Sequence, residues 1–288
     1  MSALAHPFRP AGAEKIDPVL IVLWIALMAL AVIWIAPFVF ILFTSLKSNA
    51  TVMGTGAFAP PTEADWGNYA RAWFRGKFGT TVLNSAIITL IKVPLGLFIS
   101  AMAAYALSRI TLLGGRVIFL LIVFGTMIPF QVMLAPLFTL VNSFGLINTY
   151  VGIILPYLAF GVPYQVFILH GFFKEVPKEL SEAALIDGAS HFTTFRRIFL
   201  PISLPVLAAL LILDFVSTWN EFAMALVILQ DNSMWTLPLG LMSFQSQFSN
   251  DYGQLNSAIV MTVLPVTIVY LIFQRYFVSG LTSGAVKE

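Results

Sequence analysis

The chain has 288 residues, of which 59% are hydrophobic and 10% are charged, and its mean hydropathy is +0.92. Soluble domains are about 45–50% apolar and about 25% charged, so this composition excludes a soluble protein and predicts an integral membrane protein. The net charge of +2 gives no sign of a nucleic-acid binder. The absence of cysteine excludes disulfides, thiolate metal sites and cysteine nucleophiles.

Charge-poor apolar stretches predict an all-α polytopic fold with six transmembrane helices. The runs are continuous rather than alternating, which favours helices over the strands of a barrel. Residues 117–173 carry no Asp, Glu, Lys or Arg, and turn-forming residues from Asn142 to Asn148 divide this stretch into two crossings. The first stretch is too long for a cleaved signal peptide, so we expect it to be retained as a span. The predicted spans, in one transmembrane domain of residues 1–288, are 19–46, 80–107, 117–140, 149–173, 202–229 and 252–274.

The distribution of basic residues predicts the orientation of these spans. With six spans, the leader, the second and fourth connections and the tail lie on one side, and together they hold ten Lys and Arg residues. The first connection holds four and the third and fifth hold none. The positive-inside rule therefore predicts that both termini are cytoplasmic.

The fourth connection, residues 174–201, is too polar to enter lipid and too patterned for a slack linker. Eight of the chain's charges lie between Lys174 and Arg197. A first short helix is expected to end at Gly188, a second to be capped by Ser190, and Pro201 to stop that helix at the membrane. The residues alone leave two interpretations open, which are an amphipathic helix lying on lipid headgroups and a docking element for a soluble partner.

This loop carries a resemblance to a known family. The stretch EAALIDGASHFTTFRRIFLP fits the signature Glu-Ala-Ala, three residues, Gly, nine residues, Ile-x-Leu-Pro of the permease subunits of bacterial ATP-binding-cassette importers. The signature residues here are Glu182, Ala183, Ala184, Gly188, Ile198, Leu200 and Pro201. The order of six spans and the segments NSAIITLIKVPLGLFISAMAAYALSR, STWNEF and FVSGLTSGAVKE are similar to the maltose-type carbohydrate permeases, in particular to their smaller, six-span partner.

The resemblance implies a transport subunit without chemistry of its own, in the bacterial cytoplasmic (inner) membrane. It implies three protein partners besides the lipid bilayer: a second permease subunit that is not identical to this chain, a cytoplasmic ATPase dimer docked on the coupling loop 174–201, and an extracytoplasmic solute-binding protein. ATP and Mg²⁺ are expected on the ATPase, and this chain has no G-x-x-x-x-G-K-[ST] phosphate loop. We expect no cofactor, metal, catalytic residue or nucleic acid on this chain.

Polar residues inside the predicted fifth span are the candidates for contact with solute. Four of them share one helix face at i, i+3, i+4 and i+7, namely Asp214, Ser217, Thr218 and Glu221. Carboxylates at this depth normally face a bundle interior or a pathway. In one interpretation they bind sugar hydroxyls, helped by Asn220 and by stacking of Trp219. In the other they hold helices together, with Lys92 as the counter-charge, and this second interpretation is favoured for Asp214.

Two alternative functions remain at this point. The first is a permease for a non-sugar solute such as glycerol phosphate, a polyamine or phosphate. The second is a proton-coupled secondary carrier in which Asp214 and Glu221 form the relay. A relay needs neither a docking loop nor an ATPase, so the element from Glu182 to Pro201 argues against it.

Overall fold

The computed structural model describes residues 18–56, 58–244 and 251–285, with side chains as far as Gln274. Within these ranges the chain is helical and contains no strand, as the apolar pattern predicts. The predicted leader with Arg9 and Lys15, and Lys287 of the tail, lie outside the described residues.

The helices follow one another with short connections. They are α1 (Pro18–Ser45), α2 (Asn49–Gly54), α3 (Gly67–Arg75), α4 (Phe78–Arg109), α5 (Gly115–Phe124), α6 (Phe130–Ser143), α7 (Tyr150–Glu175), α8 (Lys178–Ile186), α9 (His191–Thr194), α10 (Leu200–Ile202), α11 (Leu204–Trp219), α12 (Ala223–Ile228), α13 (Leu237–Gly240) and α14 (Tyr252–Ala285). Two 3₁₀ turns, Gly125–Met127 and Leu241–Phe244, and a π-helical turn, Phe195–Phe199, complete them.

Four of these helices are long and apolar enough to cross a membrane: α1, α4, α7 and α14 up to Gln274. They correspond to the predicted first, second, fourth and sixth spans. The predicted third span corresponds to a bent pair of helices, and a second bent pair, His191–Ile202 with Leu204–Trp219, overlaps the predicted fifth span in part. The described residues therefore give four spans, or up to six if each pair counts as one. The total of six therefore stays a prediction.

The predicted third span, 117–140, is not one straight helix. Gly115–Met127 and α6 meet at 101°. The break falls at Pro129, which has no amide hydrogen to donate, and the preceding Ile128 adopts the extended backbone that a following proline favours. The turn predicted between Asn142 and Asn148 lies where expected, and Gly145 and Asn148 adopt positive φ angles of 66° and 59° there.

The predicted fifth span, 202–229, also differs from the structure at both ends. Pro201 does not stop the preceding helix, because the amide of Leu200 bonds to the carbonyl of Phe195 in a wider π turn that accommodates the proline. The helix continues to Ile202, and the chain bends by 76° before α11. At the other end α11 stops at Trp219, and the remaining residues form the separate short helix α12.

The centre of the molecule is the pair α4 and α7. Gly96 and Ser100, spaced four residues apart on α4, let the two backbones approach closely. A Cβ atom at Gly96 would lie 3.2 Å from the side chain of Leu158, and the hydroxyl of Ser100 donates to Oε1 of Gln165 at 2.8 Å. Helix α14 packs against α1, α3 and α11 on the other side of the bundle.

Candidate functional site

A buried ion pair lies at mid-depth between α4 and α11. Lys92 is about 21 Å from the start of α4 and about 25 Å from its end, at ~1.5 Å per residue. Its Nζ donates to Oδ1 of Asp214 and, at 3.2 Å, to the hydroxyl of Thr218. The two charged side chains are only 4% and 9% exposed. Helix α7 closes over this pair at Gly161, where a Cβ atom would come within 2.9 Å of Nζ.

Glu221 sits at the break between α11 and α12 and caps the second helix. Its Oε1 accepts from the amide of Met224 at 2.8 Å, and its Oε2 accepts from the amide of Ala225 at 3.1 Å. The hydroxyl of Tyr157 on α7 donates to Oε2 at 2.5 Å. A carboxylate is well placed at a helix N-terminus, because the first amides there have no partner within the helix.

A cavity of about 230 Å³ joins these two groups. It lies where both interrupted segments reach mid-depth, since α6 begins and α11 ends beside it. Its lining combines aromatic rings, hydroxyls and the charged groups, and consists of Lys92, Phe130, Tyr157, Phe160, Gly161, Asp214, Ser217, Thr218, Glu221 and Met224. Irregular backbone at this depth is tolerated only where protein buries it or a cavity adjoins it, and such breaks are where transport sites are commonly built.

The structure brings five of the seven predicted polar residues to this cavity but not Trp219 or Asn220. Trp219 lies about 100° around the helix from Thr218, so its indole faces α14, where it stacks on Phe215 at 5.5 Å and donates to the carbonyl of Thr262 at 3.4 Å. The amide of Asn220 turns back to the carbonyl of Val216 at 3.0 Å. In this structure the indole of Trp219 is therefore outside the cavity and is not placed to stack on a sugar there.

Sequence reasoning missed the contribution of α7 and α6 to the cavity. Tyr157, Phe160 and Phe130 look like ordinary span residues in the sequence, and nothing local shows that Tyr157 meets a carboxylate 64 residues away. Gly161 did carry a signal, because a glycine close to Pro156 and Pro163 in an apolar helix indicates a close approach.

The coupling loop divides its signature residues between two surfaces. Helix α8 is exposed at one end of the bundle, with Glu182 and Ala183 facing outward and Ile186 85% exposed. Gly188 ends it with a φ of +83°, and the amides of Gly188 and Ala189 bond back to the carbonyls of Leu185 and Ala184. This is the Schellman arrangement, which satisfies the last carbonyls of a helix and which glycine adopts most readily.

The second half of the loop packs against the spans. Ser190 caps α9 by accepting from the amide of Thr193 at 3.2 Å, as predicted. Beyond it, two buried rings pack on α4, with Phe199 lying 4.9 Å and Phe195 5.5 Å from the ring of Tyr105. Ile198 and Leu200 join the same apolar cluster, whereas Pro201 is exposed. The signature thus has an outward part around Glu182 and an inward part around Ile198.

Arg109 ties the inward part to the ends of two spans. Its guanidinium donates to the carbonyls of Phe173 and Val176 at the end of α7 and lies 5.0 Å from the centre of the Phe199 ring. One side chain of α4 therefore contacts both α7 and the coupling loop. In the sequence, Arg109 stands out only as one of the basic residues of a connection.

Comparison with known proteins identifies the family. The family described as the binding-protein-dependent transport system inner membrane component matches residues 96–283, which include the coupling loop and every residue of the cavity lining except Lys92. This chain belongs to that family. The resemblance drawn from the loop signature is confirmed, and the permease is a multi-pass transport subunit of an inner-membrane system.

Relatives of this permease are similar over nearly their whole length. It is 35% identical to the diacetylchitobiose uptake system permease protein NgcG of Streptomyces coelicolor over 94% of this chain and 88% of that protein. It is 35% identical to the arabinooligosaccharides transport system permease protein AraQ of Bacillus subtilis over 93% of this chain and 95% of that protein. A chain of a bacterial ATP-binding-cassette transporter involved in the import of the acidic polysaccharide alginate has the same fold, with a TM-score of 0.81, 26% identity and coverage of 94% of this chain and 100% of that chain.

Proposed function

We propose that this permease forms half of the translocation pathway of an ATP-driven sugar or oligosaccharide importer, and that the cavity beside Lys92 and Asp214 is part of that pathway. The observation that carries the proposal is a polar, aromatic-lined cavity at mid-depth that lies beside two helix breaks, the one before α6 and the one between α11 and α12. The relatives named for diacetylchitobiose and arabinooligosaccharides support a sugar as the solute.

The cavity chemistry suits a sugar better than a charged solute. Phe130, Tyr157 and Phe160 offer ring faces and Ser217 offers a hydroxyl, which are the groups that contact the apolar and polar faces of a sugar. The charges are already engaged, since Lys92 binds Asp214 and Glu221 accepts three hydrogen bonds. Engaged acids also make a poor proton relay, which argues against the secondary carrier.

A cytoplasmic ATPase dimer is the proposed partner of α8. The helix presents exposed apolar side chains at Leu180, Leu185 and Ile186 beside exposed Glu182, while the following segment is fixed to the spans. A rigid element of this kind can transmit a displacement, because its position biases two arrangements of the helices that hold it. In this proposal ATP and Mg²⁺ bind to the ATPase and not to this chain. Both termini of the permease lie in the cytoplasm. A second, non-identical permease and an extracytoplasmic binding protein complete the importer.

Uptake into proteoliposomes tests this function. The permease co-purified with its ATPase and second permease is reconstituted, the binding protein and a labelled oligosaccharide are added, and uptake is measured with and without ATP. We expect uptake to require ATP and the binding protein. Glu182→Lys should abolish uptake while leaving the amount of permease in the membrane unchanged. Uptake driven by a pH gradient without ATP would overturn the proposal.

The natural absence of cysteine allows the pathway itself to be tested. A Ser217→Cys variant places one thiol at the cavity, and a Leu213→Cys control places one on the same helix at a 42% exposed position outside the cavity lining. We expect a charged methanethiosulfonate reagent to modify the first and to block uptake, and the oligosaccharide to slow that reaction. Equal reaction at both positions would exclude Ser217 from a water-filled pathway.

A further inference from the structure

A second cavity, of about 490 Å³, lies at the end of the bundle that carries the coupling loop. It is formed between the beginning of α5, the last turns of α7 and the end of α4, and is separate from the mid-depth cavity. Its lining contains three basic side chains and no acidic one, and consists of Leu107, Gly115, Arg116, Phe119, Leu120, His170 and Lys174.

The cavity has one rigid wall and two extended cationic groups. His170 is buried and stacks on the ring of Phe119, with ring centres 3.9 Å apart. Arg116 and Lys174 are exposed, so their charged ends are free to close on a ligand. Arg116 also lies in the first turn of α5, a ten-residue helix that no side chain caps, and the positive end of the helix dipole adds to the attraction for an anion.

The surroundings of this cavity are apolar and open. Along α5, the fractional exposures are 59% for Val117, 55% for Leu120 and 68% for Leu121, and Leu113 just before the helix is fully exposed. A soluble anion would leave these side chains uncovered. A phospholipid would cover them with its acyl chains while its phosphate reaches the basic groups, and basic pockets at this depth between spans are known to suit anionic headgroups.

We propose that this cavity binds the headgroup of an anionic phospholipid from the leaflet next to the coupling loop, with Arg116 and Lys174 on the phosphate and the acyl chains along α5. Lys174 lies in the last turn of α7 and is the first residue of the coupling loop, and the end of α7 is the segment that Arg109 holds. A bound lipid therefore fixes the α7 segment from which α8 begins. The site needs only the membrane setting of the family and is independent of which solute is carried.

Native mass spectrometry of the complete importer, released from nanodiscs of defined composition, tests the site. The probes are cardiolipin and phosphatidylglycerol, with phosphatidylcholine as the uncharged comparison. We expect the wild type to retain the anionic lipids and R116Q/K174Q to bind them roughly 25-fold more weakly, since each basic side chain near an anionic lipid surface contributes about fivefold. R196Q/R197Q removes two charges from the same side of the protein but outside the cavity, and should retain lipid like the wild type.

Two further measurements separate a lipid site from a free-phosphate site and from a folding defect. R116K/K174R keeps both charges and should bind like the wild type, which distinguishes lost binding from lost folding. Inorganic phosphate at about 10 mM should fail to displace the lipid, because it covers none of the apolar surface on α5. Displacement by phosphate, equal retention of phosphatidylcholine, or equal weakening in R196Q/R197Q would each overturn the proposal.

Discussion

The buried pair of Lys92 and Asp214 makes the sharpest energetic prediction. Replacing Lys92 by Met removes the donor to Oδ1 of Asp214, whose Oδ2 already has no hydrogen-bond partner among the described residues. Replacing Asp214 by Leu leaves the ammonium of Lys92 with the hydroxyl of Thr218. Removing one partner of a buried pair costs about 3–5 kcal/mol, because a charge is left in a medium that solvates it poorly.

The double variant K92M/D214L should behave very differently from either single variant. Replacing both partners by apolar side chains removes the isolated charge, so we expect a free energy of unfolding within about 1 kcal/mol of the wild type. The pair of Arg71 and Asp65 serves as the matched control, since its side chains are 50% and 35% exposed at 2.5 Å separation. Breaking that pair with D65N should cost at most about 1 kcal/mol.

Unfolding by sodium dodecyl sulfate in mixed micelles, followed by the fluorescence of the six Trp residues, measures these free energies. The wild type, K92M, D214L and K92M/D214L form a double-mutant cycle, which gives the coupling energy between Lys92 and Asp214 directly. Additive losses in K92M/D214L, or single-variant losses no larger than that of D65N, would refute the burial reasoning. Uptake measured on the double variant then separates the structural part of the pair from any part in transport.

Three further predictions concern the coupling loop and the second acid. Gly188→Val should abolish ATP-driven uptake, whereas Gly188→Asn should keep most of it. Asn adopts a positive φ far more readily than Val, and a Cβ atom at this position meets nothing within 4 Å. Equal loss of uptake in both variants would exclude the backbone conformation as the cause. Arg109→Lys keeps the charge but loses the planar guanidinium, whose Nη2 donates to both carbonyls while its face lies against the ring of Phe199, so uptake should fall while membrane insertion persists, and unchanged uptake contradicts this. Glu221→Gln weakens all three hydrogen bonds that the carboxylate accepts and should cost more in the unfolding titration than Tyr157→Phe, which removes one bond to a charged group worth about 1.5–3 kcal/mol; the reverse order would contradict the capping role.

Sequence reasoning predicted features that depend on residues close together in the chain. The positive φ of Gly188 and the cap at Ser190 follow from local backbone chemistry. The high cost of an unpaired charge inside a membrane favoured the interpretation in which Lys92 is the counter-charge of Asp214. The angle of 101° before α6 was not predictable, because Pro129 marks a break without fixing its direction. The break after α11 was missed because Glu221 takes two backbone amides for its own side chain, a competition that composition does not reveal.

The two interruptions at mid-depth also affect how this molecule can move. Bending an intact helix requires backbone hydrogen bonds to be broken in a medium without water to replace them, at several kcal/mol for each unsatisfied group. Between α5 and α6, and between α11 and α12, the helical hydrogen bonds are already interrupted, and at the second break the side chain of Glu221 accepts from two backbone amides. A change of angle at either break therefore requires no further helical hydrogen bond to be broken, and it would instead repack the side chains beside the cavity, among them Tyr157 and Phe130.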